Sequence, residues 1–230
     1  MRRLVILTFL AILAGCNGNA PAPSGAQTAQ RAQSAQRAPR AQTTSAKPRI
    51  VFLGDSLTAG LGLPADQSFP SLVGRKLEKN GLDYEVVNAG VSGDTSAGGV
   101  RRLDWSLEGD VRVLIVALGG NDGLRGLPPG ELKKNLAAIL DRAREKQITV
   151  ILAGMEAPPN NGPDYTREFR NVYEQLAAEY KVRLIPFLLQ GVAGEASLNQ
   201  PDGIHPNTRG AEIVAELIWK ELEPALRRPS

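Results

Sequence analysis

From Arg49 onward, five apolar runs alternate with stretches whose apolar residues recur at helical spacing. The runs are RIVFL (49–53), YEVVN (84–88), VRVLIVAL (111–118), TVILAG (149–154) and VRLIPFL (182–188). Most are near-continuous and β-branched rather than alternating, the pattern of parallel strands covered on both faces. Between them, Phe69, Leu72, Val73 and Leu77 predict a helix over residues 68–80, with Gly81 as its stop. After the Pro-Pro-Gly at 128–130, Leu132, Leu136, Ile139, Leu140 and Ala143 share one helical face. Asp164 is expected to cap a helix carrying Phe169, Val172, Tyr173, Leu176 and Tyr180. A last helix is expected to start near Asn207 and to carry Ile213, Val214, Leu217 and Ile218. Strand–helix alternation with short connections predicts a three-layer α/β fold, a flavodoxin-like, five-stranded doubly wound parallel sheet.

The first 48 residues follow a different pattern. A charged start and an apolar stretch from Leu4 to Ala14 read as a secretory signal, too short for the about 20 apolar residues of a membrane-spanning helix. LAGC (13–16) resembles a bacterial lipobox, which implies that residues 1–15 are a lipoprotein signal peptide and that Cys16 carries lipid. The alternatives are an ordinary signal peptide or an uncleaved signal anchor. Cys16 is the only cysteine, so no disulfide within the chain and no cysteine-based metal site can form. Asn17 after the cysteine implies, by the same resemblance, the outer membrane of a two-membrane bacterium. Residues 17–48 contain no Val, Ile, Leu, Met, Phe, Trp or Tyr. With no apolar surface to bury, residues 16–48 are expected to be a disordered tether, spanning about 30–35 Å as a flexible chain. The expected organisation is therefore signal peptide (1–15), lipidated Cys and tether (16–48), and one globular domain (49–226).

Charge changes the picture of possible partners. The formal net charge is +3, but residues 1–48 contribute six basic residues and no acidic ones. The rest of the chain sets 21 basic residues against 24 acidic ones, a net of −3. A domain with no basic excess argues against nucleic acid as a partner.

In an open parallel sheet, ligands bind outside the carboxyl ends of the strands. There the sequence places GDSLTAG (54–60), AGVSGDTSAGG (89–99), GGNDGLRG (119–126) and MEAPPNNG (155–162), and further on DGIHPN (202–207). His205 is the only histidine in 230 residues. Near its reference pKa an imidazole can act as a general base at neutral pH. Ser56, His205 and Asp202 would then form a nucleophile, base and orienting carboxylate. Candidate oxyanion donors are the backbone N–H groups of Ser56 and Gly93 and the side-chain amide of Asn121. Each residue also has a structural reading. Ser56 could cap a helix, Asp202 could close a turn, His205 could bond a helix N-terminus, and Gly93 and Asn121 could be turn residues.

The four blocks GDSL, NAGVSGDTS, GGND and DGIHP, in this order, resemble those of the SGNH (GDSL-type) hydrolases, over roughly residues 49–225. The nearest likeness is to the thioesterase I/protease I/lysophospholipase and arylesterase group. The resemblance implies a serine esterase or thioesterase, with Ser56, Asp202 and His205 as the triad and Ser56, Gly93 and Asn121 as the oxyanion hole. It implies no cofactor, no metal, and an acyl ester or thioester as substrate. It also implies a GGNDGLRG loop that borders the acyl site. An envelope carbohydrate O-acetylesterase and a non-catalytic tethered binding protein are the competing readings. Other chemistries lack their motifs. There is no G-x-S-x-G and no Gly-Lys pair, and GLGLPA (60–65) starts too far past a strand to be a dinucleotide fingerprint.

Overall fold

The computed structural model describes residues 47–227. The expected signal peptide, Cys16 and nearly all of the expected tether lie outside those residues. Five strands form one parallel sheet: β1 (Arg49–Gly54), β2 (Glu85–Gly90), β3 (Val111–Ala117), β4 (Thr149–Ala153) and β5 (Arg183–Ile185). Their order is β2-β1-β3-β4-β5, that of a flavodoxin-like doubly wound sheet. The fifth run forms a strand over three residues only, because Pro186 has no N–H to continue the ladder and the chain turns away at once.

Each apolar run becomes a strand for the expected reason. Ile50, Val51, Phe52 and Leu53 of β1 are all fully buried, so both faces of this interior strand are covered. Phe52 meets Phe69 edge to face, with ring centroids 5.9 Å apart, which turns the Phe52 face of β1 toward α2 (Phe69–Lys79). On the same side α2 packs against α8 (Thr208–Leu226). The second helical layer contains α3 (Ser96–Arg101), α6 (Pro129–Glu145) and α7 (Pro163–Tyr180), with α6 in contact with both α3 and α7. The apolar faces read from periodicity are the buried ones: Leu132, Leu136, Ile139, Leu140 and Ala143 on α6, and Phe169, Val172, Tyr173 and Leu176 on α7.

Helix starts follow local chemistry. Asn207 caps α8, its side-chain oxygen accepting from the N–H groups of Arg209 and Gly210. Asp164 is not the cap of α7. The helix starts one residue earlier at Pro163, an N1 proline after Gly162, which leaves Asp164 in the first turn, where a carboxylate favours the helix dipole. Periodicity did not reveal the short helices α1 (Ser56–Ala59), α4 (Leu103–Ser106) and α5 (Gly120–Leu124), each only four or five residues long. Two of them, α1 and α5, follow the carboxyl ends of β1 and β3, on either side of the point where the strand order reverses. No helix among the described residues is long and apolar enough to cross a membrane.

Candidate active site

Ser56 is the first residue of α1, two positions past the end of β1. The capping role that a serine there could have played belongs to Asp55, whose Oδ1 accepts from Leu57 N–H at 3.0 Å. The Ser56 hydroxyl therefore serves no cap. It lies 2.9 Å from His205 Nε2. His205 Nδ1 lies 2.7 Å from Asp202 Oδ2, and Asp202 Oδ1 accepts from the backbone N–H groups of Ile204 and His205. An acceptor on Nδ1 puts the ring proton there and leaves Nε2 to accept from Ser56. The backbone bonds from His205 and Ile204, then the imidazole bond, hold the Asp202 carboxyl down at about 2. A carboxylate so stabilised stays ionised at every pH where the imidazole can act.

The block from 89 to 99 joins this edge through a polar frame. Gly93 has φ of +84°, a conformation only glycine adopts without strain, in the turn after β2. Its carbonyl accepts from Arg125, while neither its N–H nor that of Ser56 donates to another residue of the described chain. At Ser56 this follows from position, since the first N–H groups of a helix have no intrahelical acceptor. Asn121, on α5, donates through Nδ2 to the Asp94 carbonyl at 2.9 Å and to Asp55 Oδ2 at 3.3 Å. Next to it, the buried Asp122 accepts from Ser96 N–H at 2.8 Å and from Ser96 Oγ at 2.5 Å. The segments that carry Gly93 and Asn121 are thus joined by four hydrogen bonds, one from Asn121 to Asp94, one from Arg125 to Gly93 and two from Ser96 to Asp122.

Ser56, Asn121 and His205 open on one cavity of about 470 Å³, within the usual range for a small-molecule site. Its far walls are apolar: Leu124, Met155, Phe187, Leu189, Ala193 and Ile204. Gly93 is not among the wall residues. Gly120, Asn121 and Leu124 of the GGNDGLRG block line this cavity. Asp55 also faces the cavity yet is only 2 % exposed. Burial first, against the opposing pull of the Leu57 N–H, the His205 charge and the Asn121 amide, pushes its carboxyl up to about 6. Sequence reasoning passed over Asp55, Asp94, Ser96 and Asp122 as functional residues, although all four lie inside the quoted blocks. No cluster of three or more His, Cys, Asp or Glu with metal-binding geometry occurs among the described residues.

A hydroxyl, an imidazole and a carboxylate in file beside an apolar cavity form the nucleophile, base and orienting-carboxylate arrangement of a serine hydrolase. The GDSL-like lipase/acylhydrolase family matches residues 52–213. This chain belongs to that family. Over 183 residues, 79 % of this chain and 91 % of its relative, it is 43 % identical to the esterase TesA of Pseudomonas aeruginosa. It is 36 % identical to thioesterase 1/protease 1/lysophospholipase L1 of Escherichia coli K12, over 81 % of this chain and 88 % of that one. Among solved structures, that of TesA superposes with a TM-score of 0.74 at 44 % identity, covering 76 % of this chain and 98 % of the other. As a member of the GDSL-like acylhydrolases the protein is an ester hydrolase, and its five-stranded parallel α/β architecture is the family's.

Proposed function

We propose that the protein hydrolyses carboxylic esters or thioesters through a covalent acyl-enzyme on Ser56. The observation that carries this reading is the continuous file from Ser56 Oγ to His205 Nε2 at 2.9 Å and from His205 Nδ1 to Asp202 at 2.7 Å. In the first half-reaction Ser56 Oγ attacks the acyl carbon while its proton passes to His205 Nε2. The carbonyl oxygen becomes an oxyanion, met by the N–H groups of Ser56 and Gly93 and the amide of Asn121. Collapse expels the alkoxide or thiolate, which takes the proton from His205 and leaves the acyl group on Ser56. Water then attacks that ester while giving a proton to His205, and collapse releases the acid as Ser56 Oγ takes that proton back, restoring the resting triad. Asp202 holds the imidazole tautomer and stabilises the imidazolium.

The substrates are acyl esters or thioesters whose chain lies along the Met155, Phe187, Leu189 and Ile204 walls of the cavity. Those apolar walls favour an acyl chain over the acetyl group of an envelope carbohydrate. On the lipobox reading the enzyme sits in a bacterial envelope, held by lipid on Cys16, where lysophospholipids and other lipid esters are at hand.

Hydrolysis of p-nitrophenyl esters from acetate to palmitate tests the chemistry, with Ser56→Ala and His205→Ala beside the unaltered protein. Loss of hydrolysis in both variants is expected, and activity that survives Ser56→Ala would refute the serine mechanism. A profile confined to acetate would favour the O-acetylesterase reading. Mass spectrometry of the mature N-terminus tests the anchor, since an unmodified Met1 peptide contradicts lipidation.

A further inference from the structure

The Asn121 amide nitrogen is fully committed in the resting structure. A side-chain amide nitrogen has two hydrogens, and here both are engaged: one on the Asp94 carbonyl at 2.9 Å, the other on Asp55 Oδ2 at 3.3 Å. The orientation is unambiguous, because both neighbours are acceptors and a flipped amide would set oxygen against oxygen. An amide in this state has no hydrogen left for a substrate oxygen, so one of the two bonds must yield when negative charge forms there. The Asp94 bond is the shorter, and its loop is itself held by Arg102, whose Nε donates to the Asp94 carboxylate at 2.7 Å. The Asp55 bond is longer than an ordinary N–H···O bond and is the one that can open at least cost.

Asp55 is placed for this task by its other contact. Its Oδ1 is fixed by Leu57 N–H at the start of α1, so its Oδ2 is held at a set position one residue before the nucleophile in the chain. It does not touch the reacting atoms as Ser56 and His205 do. We propose that Asp55 is a positioning residue of the oxyanion hole, its Oδ2 being the resting acceptor for the Asn121 hydrogen that passes to the substrate oxygen. This rests on the serine-esterase reading above. In the resting enzyme the bond keeps the amide from rotating about its last side-chain torsion into the cavity. In the transition state the same hydrogen turns to the oxyanion while the Asp94 bond keeps the nitrogen in place.

Two substitutions separate this role from helix capping. Asp55→Ser keeps a side-chain oxygen that can cap α1 but is too short to meet Asn121. Asp55→Asn keeps the size but has one acceptor for two donors. Both are expected to lower kcat on p-nitrophenyl butyrate about tenfold or more, part of the about 10²–10³ that one oxyanion donor supplies. KM should stay within about threefold, since the contact matters in the transition state. A capping role alone, which Asn and Ser both fill, would leave kcat unchanged in both variants, and that result overturns the proposal. Should neither variant fold, the unaltered protein still decides. On inactivation with a fluorophosphonate, one of the two Asn121 amide protons should move in a ¹H–¹⁵N spectrum while its partner stays. Two unmoved protons would overturn the proposal. Failure of the parent reading shows separately, as hydrolysis that survives Ser56→Ala.

Discussion

Arg102 and Asp94 form an ion pair of 2.7 Å in which neither side chain is more than 17 % exposed. The guanidinium does more than neutralise the carboxylate. Its two other nitrogens donate to the carbonyls of Ala89 and Gly54 at 2.6 and 2.7 Å, near or at the carboxyl ends of β2 and β1. One side chain thus ties two strand ends to the turn that carries Gly93 and to the residue whose carbonyl holds Asn121. Lysine has a single charged point and cannot meet three acceptors in a planar fork. Arg102→Lys is expected to cost about 3 kcal/mol or more in chemical denaturation, the loss of two hydrogen bonds from a charged donor at about 1.5–3 kcal/mol each. It should also lower kcat more than it raises KM. Unchanged kcat would show that the clamp does not reach the oxyanion donors.

Asp202 makes the orienting step testable. Asp202→Asn keeps the size but offers Nδ1 of His205 a donor or a weaker acceptor, so the imidazole can adopt the wrong tautomer. A fall in kcat of about 10³–10⁴ is expected from comparable triads, with the fold intact by circular dichroism. A variant within tenfold of the unaltered enzyme would assign Asp202 to the turn alone.

Two carboxyls at the site should move stability in opposite directions with pH. Asp55, pushed up to about 6 from 3.8, holds more protons folded than unfolded between those values. Stability therefore falls as pH rises from about 4 to 6, by about 3 kcal/mol for this largely buried group. Asp202, held at about 2, does the reverse. Its contribution is present above about pH 4 and is lost as pH falls toward 2. Denaturation of the unaltered protein and Asp55→Ser at pH 4, 5, 6 and 7 checks the first sign. The stability difference should shift against the unaltered protein up to pH 6 and then level off.

Gly119 shows why the GGND block begins as it does. Its φ is +118°, and a Cβ built there would fall 1.9 Å from the Tyr173 hydroxyl, which donates to the Leu118 carbonyl at 2.9 Å. Gly119→Ala is expected to lose about 3 kcal/mol or more through strain and overlap together. Tyr173→Phe alone should lose about 1–2 kcal/mol, because a buried carbonyl loses its donor. The double variant should recover part of the overlap, so that the two losses do not add.

The cavity should set chain length. Ala193 lies on its wall with Phe187 and Leu189, and Ala193→Phe places a ring in that space. Octanoate and longer esters should lose about tenfold or more in kcat/KM, within the range that one or two methylenes command in an apolar pocket. Acetate should change little. Equal loss on all chain lengths would place the acyl chain elsewhere.

Much of this protein is legible in its residues because two of its signals are local. Five apolar, mostly β-branched runs separated by helical periodicity mean parallel strands covered on both faces, and the sheet is parallel throughout. The site residues could be named because strand ends in such a sheet share an edge, so blocks far apart in the chain must meet there. Helix starts were less certain, as at α7, where Pro163 rather than Asp164 sets the start by backbone conformation. What only the tertiary structure decided is which polar groups lose water and whom they meet. Asp55 and Ser56 are neighbours in the chain, and nothing in the sequence tells that one caps a helix while the other is left for His205. Nor does it tell that Arg102 spans three acceptors, or that Asn121 has both amide hydrogens engaged. Those facts depend on distances of a few tenths of an ångström between loops joined only through the packed sheet. Hydrogen bonding and desolvation change most steeply at that scale, and sequence pattern cannot resolve it.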